Sequence, residues 1–206
     1  MEKLKHVNKK VIGVSGVLIG ALLILGVRFA TYAAPAETHY HANFAVYVNG
    51  ERELFSNPLI YEELNSCSVE TVKVKTPGER AHMHDNVNDV VHVEDQAVTW
   101  GNFFQNIGWS ANSRYLDDSN KVLVNDDTNK VTFILNGEEI NDPTTRVIES
   151  KDRLLVSYGS STKDELQKQY ETVATTAEKY NTTKDPASCS GGHSEGGIKD
   201  RMKHLF

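Results

Sequence analysis

The chain has 206 residues, with 22 basic and 28 acidic side chains, a size and composition typical of a folded domain rather than a fibrous or disordered protein. Its mean hydropathy of -0.45 excludes a polytopic membrane protein. Five of the basic residues and one of the acidic residues lie within positions 1–36, so the remaining 170 positions hold 17 basic and 27 acidic residues, a net charge of -10. Because a domain this acidic repels a phosphate backbone, we expect no nucleic-acid partner.

An apolar block near the start predicts export. Residues 11–27 carry no charge and follow four lysines, an arrangement typical of a signal sequence or signal anchor. At a rise of about 1.5 Å per residue the block covers about 26 Å, and residues 29–34 could extend it across a bilayer. We predict a single-pass transmembrane segment within 1–36, with the N-terminus in the cytoplasm and the domain outside the cell membrane. Ala34-Pro35-Ala36 also suits a signal peptidase, so secretion after cleavage is the alternative.

The two cysteines, Cys67 and Cys189, both lie in the exported part, where thiols oxidise. We predict a disulfide between them that ties the C-terminal tail to the body of the domain. In the chain-entropy model a loop of about 120 residues contributes about 4–5 kcal/mol. Two unpaired thiols are the alternative, and a cysteine-based metal site is not expected because neither cysteine has a close partner in sequence.

Two β-hairpins are predicted by the same turn signal. Runs 44–48 and 51–55 flank Asn49-Gly50, and run 131–135 and the residues after Glu138 flank Asn136-Gly137. Asn-Gly suits the positive φ angles of a type I′ turn. The apolar run 153–158 predicts a further strand.

One short helix is predicted between the hairpins. Its residues at helical spacing are Trp100, Phe103, Phe104 and Ile107, with Thr99 as N-cap and Gly108 just after the end. The order hairpin, helix, hairpin, strand predicts an α+β fold, a small mixed or antiparallel sheet of β-grasp-like type with the helix packed against one face.

The C-terminal region begins with a capping box, Thr162 to Glu165, which predicts a helix over 163–180. Residues 181–197 are rich in Gly, Ser and Thr and are expected to be irregular except where Cys189 holds them. We therefore divide the chain into an anchor (1–36), a His-rich α+β domain (37–160), and a C-terminal helix with a disulfide-pinned tail (161–206).

The placement of histidine carries the functional signal. Three pairs share an i, i+2 spacing: His39 with His41, His82 with His84, and His92 with Glu94. In a strand such residues point to the same face about 7 Å apart, so each pair presents two ligands side by side. Two adjacent strands of this kind could surround one ion, and we predict that these six residues bind a metal.

The apolar pattern predicts which face carries the ligands. The residues assigned to the core side are Phe44, Val46, Val48, Val91 and Val93. The first and third pairs then lie on the opposite, non-core faces of their strands. Met83 would point away from its flanking histidines, so a thioether ligand is not expected.

Imidazoles with one carboxylate favour Zn(II) or Cu(II) over Mg(II) or Ca(II), which prefer oxygen ligands. Asp85, Asp89 and Asp95 are candidates to orient the ring nitrogens from behind. The remaining histidines, His6, His193 and His204, are not assigned to the site, although the disulfide could bring His193 near it. A pH-responsive histidine cluster and unrelated surface histidines are the alternatives to metal binding.

Several segments of the chain together resemble a known group of proteins. They are the run ERAHMHDNVNDVVHVEDQAVTWGNFFQNIGW (79–109), HYHANFAVYVNGE before it, and FILNGEEI and DRLLVSYG after it. They resemble uncharacterised exported, N-terminally membrane-anchored, His-rich proteins of poorly cultured bacteria and archaea. The resemblance covers about residues 37–190, including DPASCSGG, and its H-x-H segments are its most specific part. Members often have His in place of Glu94, which leaves the ligand role of Glu94 open. The resemblance implies export and metal binding but no reaction.

Three functions fit this pattern. A membrane-tethered, extracytoplasmic domain that captures or buffers Zn or Cu requires only the ligands. A zinc-dependent hydrolase or lyase would hold the ion with three histidines and a bound water, with Glu94 or Asp85 as general base. An adhesion or assembly module would use the metal or the histidine cluster structurally. No Ser/His/Asp arrangement, P-loop or GxGxxG run predicts a rival catalytic site.

Overall fold

The computed structural model describes residues 9–32, 38–57, 60–61, 77–83, 86–183, 198–203 and 205. The predicted disulfide and residues His6, His84, Asp85, His193 and His204 lie outside these ranges. The chain forms two compact units, Met1–Ala36 with Ser190–Phe206 and Glu37–Cys189. The predicted division of the exported part at residue 160 stays a prediction.

The first unit contains helices α1 (Lys9–Thr31) and α6 (Ile198–Lys203). Within α1, the 21 residues Val11–Thr31 have a hydropathy of 2.2 and none of the apolar window is buried. The helix is long and apolar enough to cross a membrane, so it could be a membrane span or a signal anchor.

The second unit is a mixed α+β structure. Its strands are β1 (Tyr40–Val48), β2 (Glu51–Arg52), β3 (Ala81–His82), β4 (Val90–Val93), β5 (Ser110–Asn112), β6 (Tyr115–Asp117), β7 (Val122–Val124), β8 (Lys130–Leu135), β9 (Glu138–Ile140) and β10 (Arg153–Gly159). Its helices are α2 (Pro77–Arg80), α3 (Trp100–Asn106), α4 (Lys163–Glu171) and α5 (Ala177–Thr182).

The main sheet has the order β3-β4-β1-β10-β8-β9, with β2 also paired to β1. β1 and β10 are parallel, and the other pairs are antiparallel. The sheet is therefore mixed, with the first and last strands side by side. A second sheet, β5-β6-β7, was not predicted.

Both predicted turns are confirmed. Asn49 and Gly50 have φ angles of 53° and 86°, and Asn136 and Gly137 have 53° and 87°. The first hairpin is shorter than predicted, because β2 ends at Arg52 instead of continuing to residue 55. Phe55 adopts a φ of 47° and buries its ring, so the chain leaves the sheet to fill the core.

The predicted short helix is confirmed as α3. Thr99 caps it, accepting a hydrogen bond from the backbone N–H of Asn102, whose side chain accepts from Thr99 in return. The three aromatic residues of α3, Trp100, Phe103 and Phe104, are fully buried. They pack under the sheet with the even-numbered side chains of β1 in one core cluster.

Both faces of the main sheet are covered, the first by α3. Ala45 and Tyr47 point to the other face, where they pack with Leu155 of β10 and with α4 and the segment after it. β1 and β10 are buried on both sides. Such strands are stable only when both faces of the sheet are covered, and the C-terminal region supplies the second layer.

The predicted helix over 163–180 is two helices, α4 and α5, separated by 172–176. The guanidinium of Arg153 donates to the carbonyls of Tyr170, Val173 and Ala174, at 3.3, 2.6 and 3.2 Å. These contacts hold the end of α4 and the segment after it against β10. At the start of α5, the buried Asn43 Oδ1 accepts from Ala177 N–H at 2.9 Å. The interruption is therefore fixed by two side chains of the sheet.

Gly101, in α3, is expected to tolerate no side chain. A Cβ there would lie 2.6 Å from the carbonyl oxygen of Thr144, and the Gly101 N–H donates to that oxygen. We expect Gly101→Ala to lower the free energy of unfolding by about 1–3 kcal/mol, as overpacking does. Gly78→Ala is the matched control, because nothing lies within 4 Å of its Cβ position. Urea unfolding of both variants checks the difference; equal stabilities would contradict it.

Candidate metal centre

Strand pairing places three histidines in one row. β4 lies between β1 and β3, and His92 is the cross-strand partner of both His41 and His82. Val91, Val93 and Met83 point to the opposite face and belong to the buried core, as the apolar pattern predicts. The histidines therefore share the face away from α3, and the i, i+2 positions His39 and Glu94 lie on it too.

The structure brings His39, His41 and His92 together. One ligand atom from each lies within 4.8 Å of the others, so the three could hold a metal ion. The ring of His92 stacks between two others: its centroid is 4.6 Å from that of His39 and 5.0 Å from that of His82. His82 is therefore next to the triad but outside it.

Asn181 of α5 fixes the proton on His41. Its Oδ1 accepts from the backbone N–H of His41 at 2.7 Å, and its Nδ2 donates to Ser150 Oγ at 3.0 Å, so the amide has one orientation. His41 Nδ1 lies 3.0 Å from the same Oδ1 and must donate to it. The other ring nitrogen, Nε2, then presents its lone pair to the site, as in metal-binding histidines held by an acceptor behind them.

Glu94 acts on His92 in the same way. His92 Nε2 lies 3.0 Å from Glu94 Oε1, and an ionised carboxylate only accepts, so Nε2 donates. The lone pair of neutral His92 is then on Nδ1, which faces His41 Nε2 at 3.1 Å. Two lone pairs at this distance repel each other unless a cation, a proton or a metal ion, lies between them.

His39 and His82 lie beside this pair and each has a ring nitrogen that could bind a metal. His39 Nε2 is buried and has no hydrogen-bond partner among the residues that the structure describes, a costly state for an imidazole nitrogen. His82 Nδ1 lies 3.0 Å from the carbonyl oxygen of Gly78 and donates to it, which leaves Nε2 as its acceptor nitrogen. Both rings thus offer a nitrogen of the type that binds metals.

The ligand face is buried. His41 and His92 are only 1% and 2% exposed, because α5 covers this face and Tyr180 lies against His41 with ring centroids 5.6 Å apart. The cavity lined by these three residues with Val87 and Val90 has a volume of about 10 Å³, the space of one water-sized probe. The non-core face expected from the sequence is therefore a second buried layer.

Tyr40 separates the first histidine pair and points to the other side of β1. Its hydroxyl donates to the carbonyl oxygen of Ile148 at 2.6 Å. Burial raises the pKa of this phenol, and the charges of Asp152 and Glu149 raise it further. The hydroxyl therefore remains protonated near neutral pH and holds the strand that carries His39 and His41.

Two of the carboxylates expected behind the histidines, Asp89 and Asp95, make ion pairs, and the third, Asp85, lies outside the described residues. Asp89 pairs with Arg52 at 3.6 Å, and Asp95 pairs with Arg80 at 2.7 Å. The ring nitrogens are instead oriented by Asn181, Gly78 and Glu94. Sequence analysis did not find Asn181, because it lies 140 residues from His41 and no local pattern marks it. The ligand roles of His84 and Glu94 stay predictions.

Comparisons with protein-family models, with curated proteins and with solved structures find no match for this chain. Function is therefore argued from the geometry of the site.

Asn181→Ala is expected to weaken metal binding by about 10–100-fold, the usual cost of removing a group that orients a ligand. The substitution lets the His41 ring rotate and shift its proton. Asn181→Asp keeps the acceptor oxygen and should retain most of the affinity. Ser150→Ala removes only the other contact of Asn181 and is the matched control. Competition titrations with a chromophoric chelator measure all three; wild-type affinity in Asn181→Ala would contradict this role.

Proposed function

We propose that the protein is a membrane-tethered, extracytoplasmic domain that captures or buffers a transition-metal ion, Zn(II) or Cu(II). The observation that carries the proposal is the approach of His41 Nε2 and His92 Nδ1 to 3.1 Å, while the other nitrogen of each ring is hydrogen-bonded to Asn181 or Glu94. His39, whose buried Nε2 has no hydrogen-bond partner within the described part of the chain, supplies the third ligand.

The ligand type and spacing support this choice of metal. Two nitrogens bound to one tetrahedral Zn(II) at 2.0–2.1 Å are about 3.3 Å apart, close to the spacing found here. A set of neutral imidazoles is a poor site for Mg(II) or Ca(II), which take oxygen ligands. His82, which stacks on His92 with ring centroids 5.0 Å apart, is our candidate for a fourth ligand, and Glu94 would orient His92.

Burial favours binding over catalysis. A catalytic zinc site keeps an open position for water and substrate. On the side lined by His41, His92 and Tyr180 there is room for about one water molecule and none for an organic substrate. We therefore place the metalloenzyme second, and an adhesion or assembly module with a structural metal third.

We also propose that α1 anchors the protein in the membrane and that the metal-binding domain lies outside the cytoplasm. α1 is a candidate span preceded by lysines, which the positive-inside rule assigns to the cytoplasm. The acidic, metal-binding domain then lies outside. The parallel pairing of β1 with β10 supports a β-grasp-like sheet, and the H-x-H segments support a relation to anchored His-rich proteins of poorly cultured bacteria and archaea.

The test is metal loading of the full chain in detergent. After removal of bound metal with a chelator, equilibrium dialysis against Zn(II) or Cu(II), followed by elemental analysis, should give about one ion per chain. Mg(II) and Ca(II) in parallel should give none, which separates an imidazole site from binding to the acidic surface. Failure to bind Zn(II) and Cu(II) above the Mg(II) level would overturn the proposal.

A further inference from the structure

The C-terminal helix α6 contacts the end of the candidate span. Arg201 Nη1 donates to the carbonyl oxygens of Phe29 and Ala30 at 2.8 and 3.2 Å. Its guanidinium also lies over the ring of Phe29, 5.8 Å from the centroid. Carbonyls in the last turn of a helix lack intrahelical partners, so Arg201 caps α1 from another segment of the chain.

This end of α1 has the composition of a membrane interface. Arg28, Phe29 and Tyr32 follow the uncharged block, and aromatic and basic residues concentrate where a span leaves the hydrocarbon core. The contact of Arg201 with Phe29 therefore places α6 beside the C-terminal end of the candidate span, at the depth of the lipid headgroups.

α6 presents apolar side chains at that position. Ile198 and Met202 are four residues apart on one helix face and are 75% and 52% exposed. The chain makes a further turn after α6, where Leu205 N–H donates to the carbonyl of Met202. By sequence, residues 198–205 also carry three basic residues and one acidic residue. A short helix with an apolar face and a basic face is typical of a segment that lies in a membrane interface.

We propose that α6 is an interfacial helix, seated on the outer surface of the membrane by Arg201, with Ile198 and Met202 inserted between lipid headgroups. The basic residues of this segment favour anionic headgroups. Both α1 and α6 would then contact the membrane. This inference rests on the proposal that α1 spans the bilayer.

The test introduces a tryptophan at α6 in the full chain, reconstituted in vesicles that contain brominated lipids, which quench tryptophan on contact. Met202→Trp is the test variant and Ile24→Trp, within α1, is the positive control. The native Trp100 and Trp109 are 0% and 9% exposed and set the background in the wild type. Vesicles of phosphatidylcholine and of phosphatidylcholine with phosphatidylglycerol are compared.

We expect Met202→Trp to lose fluorescence beyond the wild-type background, more so in the anionic vesicles. Adding Arg201→Ala should reduce that quenching because the seat on α1 is lost. Quenching of Ile24→Trp without quenching of Met202→Trp would overturn the inference and leave the span intact. No quenching in either variant would overturn the span itself, and the metal-loading result is independent of both.

Discussion

Replacing His92 by Phe is expected to abolish metal loading of the full chain. His92 is the central residue of the site: it lies opposite both His41 and His82, and its Nδ1 faces His41 Nε2 at 3.1 Å. Removing a group that only orients a ligand costs about 10–100-fold in affinity, so removing a ligand should cost at least ~100-fold. Elemental analysis after dialysis at a Zn(II) concentration that saturates the wild type should find almost no ion.

Phe is chosen because it keeps a ring of similar size at a position that is 2% exposed, so loss of binding is not caused by a cavity. Far-UV circular dichroism should match the wild type. The matched control is His6→Phe, which removes an imidazole from the lysine-rich start of the chain and should leave loading unchanged. A His92→Phe variant that binds one ion with wild-type affinity would show that the metal binds elsewhere.

The local patterns predicted much of this fold because they need only neighbouring residues. Asn-Gly identified both turns, and the spacing of Trp100, Phe103 and Phe104 identified α3. The strands β5, β6 and β7 have three residues each, too few to show a period, and the second sheet was missed. The split between α4 and α5 was missed because it depends on Arg153 and Asn43, which lie far away in sequence.

For the candidate site, too, the sequence predicted the local features and missed those that depend on distant residues. The i, i+2 spacing correctly placed His92 on the face opposite Val91 and Val93. The pairing of His41 with His92 depends on which strands are neighbours, and no local pattern contains that information. The cover over the ligands was also missed, since α5 is fixed by hydrogen bonds to His41 and Asn43 of β1, which lie more than 130 residues away in sequence.

The largest loss of stability is expected from Phe44→Ala. Phe44 is fully buried in β1, and its ring lies 5.3, 5.0 and 6.4 Å from the rings of Phe55, Phe103 and Phe104. Truncating a buried Phe removes its transfer free energy and leaves a cavity, at a cost of about 3–5 kcal/mol. For a domain of this size the Tm should fall by roughly 6–20 °C.

The same variant separates the fold from the metal centre. Phe44 lies on the α3 side of the sheet, whereas His41 lies on the side covered by α5, so the folded fraction of Phe44→Ala should still load about one ion per chain. Leu54→Ala is the control, because Leu54 is 61% exposed and its truncation should change stability by less than about 0.5 kcal/mol. Calorimetry measures the Tm of both variants without metal. If the Tm of Phe44→Ala lay within about 2 °C of the Tm of Leu54→Ala, the aromatic cluster would not be the centre of the core.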